Sequence, residues 1–153
     1  MTENEQKIQL LLEQLLKGDL AEEHQAKLFE QISQLSPDPY WSDLVFWSND
    51  FFNTDNRFDY AKFFQKIAEY PNSEHGRLRA EIHRLLTNLF NKNFNEISEV
   101  ATINQLNTLI GHSHWIDDIF VKNDYKNQDG SFNYSDFLNQ ILPQPHKVSE
   151  FFN

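Results

Sequence analysis

Three groups of side chains in this 153-residue chain have the types and spacing to do chemistry. Asp129-Gly130, followed by Phe132 and Asp136, echoes the end of a calcium-binding loop, in which carboxylates at fixed spacing wrap a hard cation. The loop fails where such loops are strongest: position one is Tyr125, and the closing residue is Asp136 instead of a longer, bidentate Glu. His112 and His114, with Asp117 and Asp118 close behind, have donors for a transition metal, yet loop histidines are common without one. No metal and no cofactor is expected. The third group is Ser42-Asp43-Leu44-Val45-Phe46-Trp47, a carboxylate set among aromatic and aliphatic residues. Exposed rings beside an acid are the chemistry of protein–protein hot spots, the rings supplying desolvated area and the acid a charge-assisted bond. No nucleophile stands with a base and no glycine-rich loop can cradle phosphate, so the chain is not expected to be an enzyme. Asp55 and Asp59 read more simply as turn and helix-cap residues.

The elements that position these residues occur twice. Moving the sequence 74 places along itself sets Trp41 on Trp115, Asp43 on Asp117, Phe46 on Phe120, Asn53 on Asn127, Phe58 on Phe132, Phe63 on Phe137 and Pro71 on Pro145. About 19 identities fall in 64 ungapped positions, which marks a tandem duplication. The calcium-like positions of the second copy fall on Phe51 and Lys62 in the first, and the two histidines fall on Asp38 and Tyr40.

Each copy reads as four helices. Ile8, Leu11, Leu12, Leu15 and Leu16 line one side of a first helix, which Gly18 stops. Asp19 with Glu22, and Asn93 with Glu96, have the spacing of a capping box for the second. Leu28, Phe29, Ile32 and Leu35 form its apolar side, and Pro37 and Pro39 end it. The third has room for a turn or two between Trp41 and Trp47, too little to be stable without packing. Leu44 or Val45 then faces inward, leaving Asp43, Phe46 and Trp47 for a partner, unless Phe46 and Trp47 fill the junction between copies. Tyr60, Phe63, Phe64 and Ile67 form the core side of the fourth helix. The expected fold is all-α: residues 1–71 and 77–145 as two four-helix repeats packed in one compact pseudo-symmetric chain. Residues 72–76 form a short linker, and the tail 146–153, with Phe151 and Phe152, either packs back or frays.

A net charge of −10 disfavours nucleic acid and anionic membrane and favours a basic partner, although solubility alone explains acidity as well. Residues 1–74 hold 6 Lys/Arg against 14 Asp/Glu and residues 75–153 hold 7 against 9, so the excess of −8 against −2 points a basic partner to the first copy. The chain has no Cys, no signal-like leader and no apolar run long enough to span a membrane, so the expected compartment is the cytoplasm.

The stretch Ser42 to Trp47 resembles the Ser-Asp-Leu-Ile-Tyr-Tyr-Pro motif of the colicin and pyocin nuclease immunity proteins. The likeness runs back without a gap through Pro39, Leu28, Glu23 and Glu22. It implies a small four-helix fold, here tandemly duplicated, that neutralises a bacterial nuclease toxin by blocking substrate access. By the same resemblance Asp43, Phe46 and Trp47 form the toxin anchor, and Gln25, Ala26, Phe29, Glu30 and Ser33 on the second helix set which toxin is bound. The partner so implied is a basic nuclease toxin domain, with no nucleic acid, membrane or small-molecule substrate. The sequence departs from the motif where Phe46 and Trp47 replace both tyrosines, where Ser48 replaces Pro, and in the drifted second copy, Ile116-Asp117-Asp118-Ile119-Phe120-Val121. The rival reading is a helical adaptor or regulatory module without a toxin partner.

Overall fold

Apolar residues three and four apart lie on one side of an α-helix, and each long helix begins and ends where that spacing and its caps allow. The computed structural model describes residues 1–91 and 96–146. Helix α1, Glu3–Leu16, is capped by Thr2, which accepts the Glu5 N–H at 3.1 Å, and it stops just before Gly18, whose φ of 73° suits a residue without Cβ. Helix α2, Glu22–Leu35, ends at Ser36-Pro37. After the short α3, Trp41–Phe46, a loop leads to α4, Tyr60–Glu69, whose first turn is capped by Asp59 accepting the Lys62 N–H at 3.1 Å. A 3-10 turn, Tyr70–Asn72, then precedes α5 (Glu74–Asn91), α6 (Glu96–Ile110), α7 (Trp115–Phe120) and α8 (Tyr134–Ile141). Among the described residues there is no strand, only the isolated bridges Phe52 to Phe58 and Lys126 to Phe132, so the chain is all-α.

Residues 1–73 with Pro145 and His146 form one compact unit, and residues 74–144 form a second. The first unit closes around Ile8, Leu12, Ile32, Trp41, Phe63 and Ile67. The second closes around Ile82, Leu86, Leu106, Trp115, Phe137 and Leu138. Each fully buried aliphatic or phenyl side chain contributes about 1.5–3 kcal/mol over an exposed one, so these two clusters are what hold helices as short as α3 and α7 in place.

The loops before α4 and α8 share their backbone bonds. Asn53 N–H donates to Arg57 O at 2.9 Å as Asn127 N–H does to Ser131 O at 2.8 Å, and Asp59 N–H to Phe51 O at 2.6 Å matches Asn133 N–H to Tyr125 O at 2.7 Å. Each loop has a left-handed residue at the equivalent place, Asn56 at φ 60° and Gly130 at φ 89°, the residue types that tolerate it.

One local expectation changes, at the start of α2. The capping box at Asp19 and Glu22 does not form: α2 starts at Glu22 behind an extended Ala21 with no side-chain cap, which leaves Asp19 too far upstream to reach the first turn. Its counterpart at Asn93 lies outside the described residues. The linker 72–76 is almost wholly taken up by structure, since the 3-10 turn reaches Asn72 and α5 begins at Glu74, leaving Ser73 between them. The tail begins with a packed residue, because the His146 imidazole lies 2.6 Å from the fully buried carboxylate of Asp38. Residues 147–153, including Phe151 and Phe152, lie outside the described residues.

Candidate protein-docking face

Six residues of helix make few internal bonds, so α3 is held by its inner side: Trp41, Leu44 and Val45 are buried. At 3.6 residues per turn the residues between and after them must point elsewhere. Asp43 is half-buried, while Phe46 and Trp47 keep 45% and 38% of their surface exposed. The last turn is closed by the Trp47 N–H, which donates to the Asp43 carbonyl at 3.1 Å and sets the second ring at the C-cap of the helix that carries the acid.

Trp41 joins this helix to α2. Its indole N–H donates to Ser33 Oγ at 3.0 Å, and its ring lies 4.7 Å from Phe29 and 6.5 Å from Phe46, centroid to centroid. A buried indole flanked by two exposed phenyl rings makes one aromatic stripe across both helices. Aromatic pairs at such separations add about 0.5–1.5 kcal/mol beyond burial, which holds the exposed rings before any partner arrives.

The structure therefore brings together Phe29, Ser33 and Phe46 around Trp41, with Asp43 on the same short helix and Trp47 at its C-cap. Ala26 and Glu30 are exposed on α2. Gln25 is turned to local use, its side-chain amide donating to Leu20 O at 3.1 Å. Ser33 also serves the fold as well as the surface, since its hydroxyl oxygen accepts the indole bond. Phe29, read in the sequence as part of the apolar side of its helix and, by the resemblance, as a partner-contacting position, is exposed. Glu22 and Glu23 sit in the first turn of α2, where negative charge also complements the helix dipole.

Sequence reasoning missed Trp41 as the residue that organises the stripe. The signal was present: a hydrogen-bonding side chain stands eight residues before the tryptophan in both copies, and Trp115 donates to Asn107 Oδ1 at 2.8 Å as Trp41 does to Ser33. Asp38 and His146 were missed also, and no spacing pattern links residues so far apart.

His112, Asp129 and Asp136 of the metal-like groups are engaged in local hydrogen bonds. His112 Nδ1 accepts the His114 N–H at 3.2 Å, in the place where Asp38 Oδ1 accepts the Tyr40 N–H at 2.8 Å. Asp129 accepts from the Ser131 N–H at 2.9 Å and its hydroxyl at 2.6 Å, bonds that hold its carboxyl below the usual carboxylate range. Asp136 receives the Asn133 side-chain amide at 2.9 Å at the start of α8. Among the described residues no three His, Asp or Glu side chains come together as metal ligands, and no helix is long and apolar enough to cross a membrane. No family model, curated protein or solved structure matches the chain.

Proposed function

We propose that this chain is an immunity protein of the colicin and pyocin type, each compact unit being one four-helix repeat of that fold, and that it neutralises a basic nuclease toxin. The observation that carries the reading is the pair Phe46 and Trp47, exposed beside Asp43 at the end of a short helix whose opposite side is buried, within the half of the chain that holds most of the negative charge. Desolvated rings supply affinity, the carboxylate pairs with a cation of the partner, and the surrounding acidity speeds encounter with a basic surface. Phe29, Glu30 and Ala26 on α2 supply the adjoining contacts that distinguish one toxin from another. Bound beside the active site, such a unit excludes nucleic acid by its bulk and by placing negative charge where the phosphate backbone must lie.

The test begins with the reading frame beside this chain's gene. Its product is expected to be a basic nuclease that one equivalent of this protein inhibits. Asp43→Ala and Trp47→Ala should each weaken the complex by about 2–4 kcal/mol, roughly 30- to 1000-fold, while Asp117→Ala and Val121→Ala leave the tight complex within about threefold of the parent. A neighbouring product that is not a nuclease, or one that keeps full activity with excess protein present, overturns the proposal.

A further inference from the structure

We propose that residues 74–144 carry a second docking face that takes a second molecule of the same basic partner, more weakly than the first; this rests on the function proposed above. The internal duplication supplies the argument. The supports of the first face are reproduced in the second unit: a fully buried Trp115 with its indole bonded to α6, a six-residue helix over the equivalent positions, and a Val121 N–H donating to the Asp117 carbonyl at 3.0 Å, against 3.1 Å for Trp47 and Asp43. Folding alone accounts for those inner residues. It does not account for what stands outside them, where Phe120 is 52% exposed, Val121 71% and, at the register of Ala26, Val100 58%. Isolated exposed apolar residues are ordinary, but Phe120 and Val121 stand at the register of the exposed Phe46 and Trp47.

Charge identifies the occupant. Although the second half of the sequence holds far less excess negative charge, the eight positions of the face keep their balance: Glu30 and Asp43 in the first unit, Glu99 and Asp117 in the second, with no Lys or Arg at any of them in either. A face with two carboxylates and no cation suits the same basic surface. The exchange of Trp47 for Val121 removes the largest ring, and Asn104 stands at the register of Glu30, so the second site is the weaker.

The experiment is a calorimetric titration of the full chain with the catalytically disabled nuclease domain encoded beside it, with the mass of the complex measured by sedimentation. Two sites are expected, the second at least about tenfold weaker, together with a complex of two domains per chain. Phe120→Ala and Val121→Glu should abolish only the weak site, with helicity retained by circular dichroism, and Trp47→Ala should weaken only the tight one. A single site untouched by the Phe120 and Val121 changes overturns the second face and leaves the proposed function standing. A single domain per chain weakened by changes in both units overturns it too, since one partner molecule then uses both faces. No binding at all overturns the function and the inference together.

Discussion

Ser33 and Asn107 show how one polar side chain fixes the orientation of a buried ring. Each accepts the only hydrogen bond that an indole N–H can give, and a buried donor left unpaired costs about 1–3 kcal/mol. Ser33→Ala and Asn107→Ala are each expected to lower stability in that range in urea unfolding, whereas Ser33→Thr, which keeps the acceptor, should cost less. Tyr60 is a second residue with a measurable signature. Burial, and after it the Glu13 carboxylate, push its phenol up from 10.0 to about 12. The native state thus favours the protonated phenol, so the stability this group contributes is complete below pH 10 and is lost as the pH rises from 10 through about 12. In an ultraviolet absorbance titration of the native protein, Tyr60→Phe should remove one tyrosine's ionisation from the step near pH 12; a titration unchanged by the substitution would contradict the assignment.

Among the elements, the loop before α8 echoed a calcium site, and the polar side chains of that loop and of its counterpart before α4 are engaged in shaping the turn. Asn53 Oδ1 accepts the N–H groups of both Asp55 and Arg57 at 3.0 Å, and Asp59 and Asn133 cap the helices that follow. Calcium added to millimolar concentration is therefore expected to produce no saturable heat and no shift in melting temperature; micromolar binding with a structural change would overturn this reading of the loops. Asp59→Ala should cost about 1 kcal/mol through the lost cap, read in the same unfolding experiment. Much at this scale was legible in advance: Gly18, Pro37 and the apolar spacing mark helix ends close to those observed. The cap of α2 was not, because Asp19 has the right type and spacing but the backbone runs extended through Ala21 before the helix begins.

At the scale of the whole molecule, the compact unit built from residues 1–73 also includes Pro145 and His146. The reason is chemical. Asp38 is fully buried where its Oδ1 closes a turn on the Tyr40 N–H, and its Oδ2 receives the His146 imidazole 2.6 Å away, beside the ring of Tyr70. A hydrogen bond to a charged group contributes about 1.5–3 kcal/mol, and losing it leaves a buried carboxylate short of one partner. His146→Ala is expected to destabilise the first unit by that amount. Equal stability of variant and parent in chemical unfolding would show that the pair contributes nothing.

The sequence by itself determined the all-helical class, the 74-residue register and most helix bounds, because these follow from apolar periodicity and from proline and glycine, which act within a few residues of themselves. It also narrowed the candidate face to the stretch from Asp43 to Trp47. The tertiary structure alone decided that Leu44 and Val45 turn inward together, that Phe29 lies against the ring of Trp41, and that Ser33 supports the indole. It alone joined Asp38 to His146, 108 residues apart. Those outcomes depend on which elements pack against one another, and the free energy that selects them lies in contacts between segments distant in the chain, where local pattern has no reach.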